Sequence, residues 1–171
     1  HAAEEKSDHY EDILGTYLVK LSSYALGDDE STEIAKLLKV IGDFERISDH
    51  SVNLLESVEE LREKEINFSD EAKSDLNAIF GAVNKALDLA LKAFEDNDIE
   101  AAMKVEPLEE VIDNLKELLR NGHILRLQQG ECTIEAGFIW SDLLTNLERT
   151  SDHCSNVAVC VIDVANHNMN A

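Results

Sequence analysis

Two pairs of carboxylates, each separated by one helical turn, are the residues of this chain best suited to chemistry. Glu45 precedes Asp49 by four positions, and Glu148 precedes Asp152 by the same spacing. On a helix the two members of such a pair lie on one face, where their like charges repel each other. Carboxylate oxygens are hard ligands that suit Mg²⁺, Ca²⁺, Mn²⁺ or iron, and a bound cation would offset the repulsion. The pairs therefore predict cation sites.

Both pairs belong to an internal repeat. Residues 41–53 read IGDFERISDHSVN, and residues 144–156 read LTNLERTSDHCSN. Six residue types (Glu, Arg, Ser, Asp, His and Asn) match without a gap. Any two amphipathic helices share apolar spacing, but they do not share polar identities, so the match indicates a duplication.

Further acid pairs at the same spacing could complete each site from a facing helix. Glu109 and Asp113 precede the second pair, and Asp8 and Asp12 precede the first at a comparable separation. Four carboxylates per repeat would suffice for a cluster of several cations. The alternative is a solvated acidic face, which is the usual role of an acid pair in a chain with 36 acidic residues.

A histidine directly follows each repeated aspartate, and an asparagine follows three positions later. His50 and His153 could be ligands, hydrogen-bond donors to the ligands, or ordinary surface residues. Asn53 and Asn156 extend the acidic stripe with a neutral ligand or hydrogen-bonding group.

Composition predicts an all-α protein that avoids anionic partners. Seven glycines and one proline in 171 residues are too few for the turns of a many-stranded β protein. The net charge of −21 opposes binding to nucleic acids and anionic lipid surfaces. No apolar run approaches the ~20 residues that cross a bilayer, so no membrane insertion by this fragment is expected.

The three cysteines predict a reducing compartment. Cys132, Cys154 and Cys160 are odd in number and form no Cys-x-x-Cys spacing, so buried free thiols are expected. This favours the cytosol. Of the aromatic residues near them, Phe138 and Trp140 are expected in the core or at an interface.

Helical periodicity and breaks predict five long helices, at about 4–26, 32–64, 69–95, 98–128 and 131–167. Pro107 should kink the fourth helix or restart it near Glu106. The duplication divides the chain into a first repeat of two helices, residues 1–66, and a second repeat of three helices, residues 67–171. We expect elongated tandem bundles in which the first repeat lacks its opening helix. Its uncovered apolar faces would allow a homodimer.

The duplicated segments resemble the signature of the PhoU family, in which an acidic Glu/Asp-x-x-x-Asp lies within a segment similar to Asp-Leu-Glu-Arg-Ile-Gly-Asp-His-x-x-Asn. Residues 43–53 follow it closely, and residues 146–156 follow it with Asn146 where an acid is usual. The segments 17–21 and 135–140 are more similar to one branch, the PhoU-like cytoplasmic domain of bacterial sodium/phosphate cotransporters.

This resemblance implies tandem three-helix bundles on the cytoplasmic side of the inner membrane that regulate phosphate uptake and are not an enzyme. The implied partners are the transmembrane part of the parent transporter or a phosphate-signalling protein. Clustered metal is implied, iron or zinc before magnesium or nickel. The implied metal-facing residues are Glu45, Asp49, Glu148, Asp152, Glu109 and Asp113, with Asp8 and Asp12 as weaker equivalents.

Two other functions compete with metal-linked regulation. A metal-free helical adaptor would use the acidic faces to bind a basic partner. A di-iron carboxylate enzyme of the ferritin-like type would need His three residues after Glu, where this chain has Ser48 and Ser151. That spacing disfavours the enzyme.

Overall fold

The computed structural model describes residues 2–24 and 26–170, and within them every regular element is a helix. The long helices are α1 (Ala2–Ser22), α2 (Asp28–Glu63), α3 (Asp70–Asp96), α5 (Val105–Gln128) and α6 (Ile134–Asn170). A single turn, α4 (Ile99–Ala102), separates α3 from α5. The all-α prediction is confirmed. None of the helices in the described part of the chain is long and apolar enough to span a membrane.

Side-chain caps fix the starts of α3 and α6 close to the predicted positions. The Ser69 hydroxyl accepts a hydrogen bond from the Ala72 amide at 3.2 Å, and the Thr133 hydroxyl accepts from the Ala136 amide at 3.1 Å. The start of α2 differs from the prediction, because Gly27 precedes the helix and its amide donates to Glu30 Oε2 at 3.1 Å. Residues 28–31 are therefore already helical.

The predicted interruption near Pro107 is real but lies slightly earlier. Asn97 ends α3 in the left-handed conformation at φ 52°, and Asp98 Oδ1 accepts from the Ala101 amide to start α4. The chain restarts at Val105, so Pro107 lies in the first turn of α5. An amide has no helical partner there, so the missing N–H of proline costs nothing.

The two long helices α2 and α6 pack against each other, and each of the remaining helices packs on one of them. Helix α1 packs on α2, whereas α3 and α5 pack on α6 and on each other. Trp140 is buried in the main core, as predicted, but Phe138 is 68% exposed because it lies on the outer side of α6.

The two repeats differ in how well their apolar faces are covered. Leu119 of α5 is only 3% exposed because α3 and α6 both pack against its helix. Leu14, at the matching position of α1, is 44% exposed, together with its neighbours Ile13 and Tyr17. No described helix packs on α1 in the way that α3 packs on α5.

Candidate metal centres and the interface between the repeats

Two groups of three carboxylates each bring their oxygen atoms within 4.8 Å of one another. The first centre consists of Glu4 and Asp8 from α1 with Asp49 from α2. The second centre consists of Glu109 and Asp113 from α5 with Asp152 from α6. Carboxylate oxygens that converge from two helices in this way could serve as ligands of a hard cation.

The two centres occupy matching places in the two repeats. Glu109 and Asp113 each follow their counterparts Glu4 and Asp8 by the same interval, 105 residues. Asp8 was predicted to face a metal, but as a pair with Asp12. Asp12 is exposed and lies outside both groups of described residues, whereas Glu4, one turn before Asp8, belongs to the first centre. The acid spacing alone could not distinguish these two turns of α1.

Glu45 lies beside the first centre and forms a hydrogen bond with Asp49. Burial, a hydrogen bond to Asp49 and the nearby charges of Asp49 and Glu11 raise the pKa of Glu45 from 4.5 to about 7. Near neutral pH this carboxyl therefore holds a proton part of the time, and in that state it donates a hydrogen bond to Asp49. The charge of Arg46 lowers the pKa of Glu45 but does not outweigh these effects, so Arg46 does not act as a neutralising cation for this acid pair.

Glu148, the counterpart of Glu45, has such a cation. Lys116 Nζ lies 2.8 Å from Glu148 Oε1, and both side chains are about four-fifths buried. The position of α1 that matches Lys116 is Glu11. Lys116 therefore neutralises the acid beside the second centre, whereas the first repeat has an additional acid, Glu11, at the matching position.

Burial and mutual repulsion act on the other acids of the second centre. Burial raises the pKa of Glu109, and the charges of Asp113 and Asp152 raise it further. Burial also raises the pKa of Asp152, with Glu148 and Asp113 adding to the effect. These acids stay close together although ionisation is disfavoured, which is characteristic of a site organised for a positive ligand.

The polar residues that the two repeats share do not all face the centres. His153 Nδ1 donates to Asp43 Oδ1 at 2.8 Å, and Asn156 Nδ2 donates to the same oxygen at 3.0 Å. Asp43 is buried, and among the described residues its other oxygen, Oδ2, has no partner. His153 and Asn156 therefore join α6 to α2.

The reciprocal contacts are made by the other repeat. His50 Nδ1 donates to Asn146 Oδ1 at 2.9 Å, and Asn53 Nδ2 donates to it at 3.1 Å. The rings of His50 and His153 stack with centroids 5.6 Å apart. Asn146 thus stands opposite a histidine of the other repeat. The sequence missed this role because both partners lie about 100 residues away.

The cysteines are free thiols, as predicted, but they differ in burial. Cys154 is completely buried, and burial raises its pKa to about 12. Cys132 and Cys160 are only partly buried.

The fold and its acidic centres define a class of protein, a duplicated helical bundle with one carboxylate centre in each repeat. The sequence pattern of the PhoU domain matches residues 2–58 and 76–161, and the chain belongs to this family.

Two individual proteins are similar to this chain. The phosphate-specific transport system accessory protein PhoU homolog 1 of Thermotoga maritima is 32% identical over 129 residues, 75% of this chain and 55% of that protein. The chain therefore spans about half the length of this curated relative. The crystal structure of PhoU from Pseudomonas aeruginosa superposes with a TM-score of 0.78 at 20% identity, over 96% of this chain and 81% of the other. It shows that the fold is shared.

Proposed function

We propose that this chain is the PhoU-like regulatory domain of a sodium/phosphate cotransporter and that it controls phosphate uptake without catalysing a reaction. The proposal places it on the cytoplasmic side of the inner membrane, in contact with the transmembrane part of its parent transporter. Membership of the PhoU family and the relative named for phosphate-specific transport support a role in phosphate uptake. The cotransporter context rests on the resemblance of segments 17–21 and 135–140.

The proposed regulatory ligand is a metal ion at each centre, with iron or zinc favoured over magnesium or nickel. The observation that carries this proposal is the occurrence of the same three-carboxylate group at matching places in both repeats. A single acidic group in a chain of net charge −21 has little weight, but two groups on matching turns are unlikely products of a general acidic surface. Glu45 and Glu148 lie beside Asp49 and Asp152 and extend each centre.

Metal content measured after reconstitution tests this proposal. The wild-type chain, treated with iron or zinc and then passed through a desalting column, should retain metal in a stoichiometric amount by elemental analysis. Asp49→Asn and Asp152→Asn should each lose the metal of one repeat, and the double variant should lose both. Asp12→Asn, an exposed acid on α1 outside both groups, is the matched control and should retain the wild-type content. Wild-type protein without metal after reconstitution would refute the proposal.

Phosphate uptake by cells links the centres to regulation. Cells that carry Asp49→Asn and Asp152→Asn in the gene for this protein should lose the normal repression of uptake at high external phosphate. Cells that carry Asp12→Asn should regulate uptake normally. Unchanged regulation in the double variant would separate metal binding, if present, from the proposed role.

A metal-free adaptor is the second candidate, and the ion pair between Lys116 and Glu148 favours it. This pair shows that a basic side chain can neutralise one of these acids. An adaptor should bind its basic partner in the presence of a chelator and release it as the salt concentration rises. The histidines give no support to the di-iron enzyme, because His50 and His153 bond to Asn146 and Asp43 rather than to the carboxylate groups.

A further inference from the structure

A groove of about 450 Å³ between α5 and α6 has a lining unlike the rest of this acidic molecule. Helix α5 contributes Lys116, Arg120 and His123, which are spaced so that they share one face. Helix α6 contributes the hydroxyls of Ser141 and Thr145 from the opposite wall. Among the described residues that line the groove, none is acidic.

The inner end of the groove is shaped by a histidine packed on a tryptophan. The rings of His123 and Trp140 stack with centroids 5.9 Å apart and an interplanar angle of 20°. Gly137 of α6 makes room for this histidine, since a Cβ at that position would lie 2.7 Å from His123 Nε2. The shape of the groove therefore depends on close packing between residues of α5 and α6.

The first repeat provides an internal comparison, because its helices carry different residues at the matching positions. Lys116, Arg120 and His123 are matched on α1 by an acid, a glycine and a leucine, namely Glu11, Gly15 and Leu18. On α2 the two hydroxyl residues are matched by Leu38 and Gly42. Every basic or hydroxyl group of the groove is thus specific to the second repeat, although the carboxylate centres occur in both.

The cations of the groove retain donors for an incoming anion although each already has an acidic partner. Arg120 Nη1 lies 3.7 Å from Glu117 Oε1, and its side chain is 62% exposed, so this contact is weak. Lys116 contacts Glu148 at 2.8 Å, and its three N–H donors allow a second acceptor beside that carboxylate.

We propose that the groove between α5 and α6 binds inorganic phosphate or another tetrahedral oxyanion of similar size. Arg120 and Lys116 would supply charge-assisted hydrogen bonds, and Ser141 and Thr145 would supply hydroxyl donors to the remaining oxygens. The guanidinium fork of Arg120 matches two oxygens of such an anion. The volume of the groove accommodates the anion with its bridging waters. This proposal does not depend on metal binding at the carboxylate centres.

The fluorescence of Trp140 tests the proposal directly, because it is the only tryptophan of the chain and lines the groove. Metal-free protein in a chelator is titrated with sodium phosphate at constant ionic strength. We expect a saturable change with a millimolar Kd for wild-type protein. Arg120→Gln should weaken binding roughly tenfold, as expected for the loss of one charge-assisted hydrogen bond. Thr145→Val should weaken it several-fold. Both positions are solvent-accessible, and circular dichroism checks that the variants are folded.

Arg62→Gln is the matched control, since it removes an exposed arginine of α2 that is not among the residues lining the groove. It should leave phosphate affinity unchanged. The proposal is overturned if wild-type protein shows no saturable response, if Arg120→Gln binds phosphate as wild-type protein does, or if Arg62→Gln weakens binding equally.

Titrations with other anions identify the source of the oxyanion and test the specificity of the groove. Tighter binding of inorganic phosphate than of glycerol 3-phosphate would support free phosphate as the ligand. The reverse order would support the oxyanion site with an organic phosphomonoester as its ligand. Sulfate tests the charge and shape requirement, and a fluorescence response to chloride equal to that of phosphate would refute a site for tetrahedral oxyanions.

Discussion

Replacement of Glu45 by glutamine is expected to stabilise the metal-free protein in a strongly pH-dependent manner. In the folded protein, burial, the hydrogen bond to Asp49 and the neighbouring acids raise the pKa of Glu45 from 4.5 to about 7. The folded state therefore binds this proton more tightly than the unfolded state does. The contribution of Glu45 to the free energy of unfolding is greatest below pH 4.5, falls as the pH rises toward 7, and levels off above 7.

The size of the effect follows from the shift in pKa. A change from 4.5 to about 7 corresponds to about 3 kcal/mol at full strength. Solvent and salt screen this partly buried site, so we expect about 1–3 kcal/mol. Glutamine is nearly isosteric with the protonated acid, keeps a donor for Asp49 and never ionises. Glu45→Gln should thus match wild-type stability near pH 4 and exceed it at pH 8.

Urea unfolding from pH 4 to pH 8 in the presence of a chelator measures this difference. Glu59→Gln, an exposed acid on the same helix, is the matched control and should show no comparable change with pH. A stability difference for Glu45→Gln that is constant across the pH range, or that decreases as the pH rises, would refute the electrostatic reasoning.

Substitutions at Gly137 and Asp43 test the packing between helices and the contacts between repeats. Gly137→Ala should destabilise the protein by about 1–3 kcal/mol in urea unfolding, because its Cβ would lie 2.7 Å from His123 Nε2. Gly81→Ala, on an open face of α3, should be neutral or stabilising. Asp43→Ala should cost about 1–3 kcal/mol because it leaves the donors of His153 and Asn156 unpaired, whereas Asp43→Asn should cost less. If Asp43→Asn and Asp43→Ala were equally destabilising, hydrogen bonding would not explain the role of Asp43.

The fold was largely predictable because local signals determine it. Hydrophobic periodicity and the breaks between apolar stretches placed the long helices within a few residues of their observed bounds. The duplication then indicated which helices correspond to one another. Phe138, expected in the core or at an interface, is 68% exposed and so lies outside the core, because apolar periodicity indicates a face without showing which neighbouring helix covers it.

The candidate centres were predictable only in part. Spacing of four residues identifies carboxylates on one face, and this brought together Asp49 with Asp8 and Asp152 with Asp113. Whether Glu4 or Asp12 joins Asp8 at the first centre depends on the position of α1 along α2, and no local sequence pattern determines that position. The same limit applies to Asp43 and Asn146, whose partners are more than 90 residues away in the sequence.

The difference between the repeats explains how one duplicated scaffold can hold two different centres. The carboxylate groups match, but Glu11 in the first repeat corresponds to Lys116 in the second, a difference of two elementary charges beside otherwise similar acids. Under the proposed function, the first centre would balance more positive charge than the second. Lys116 also lines the groove between α5 and α6, so one side chain borders both the second centre and the proposed oxyanion site. Under both proposals, an anion that shares Lys116 with Glu148 would weaken the neutralisation of that carboxylate and so favour a cation at the second centre. The first repeat has an acid, Glu11, at the matching position and lacks this link.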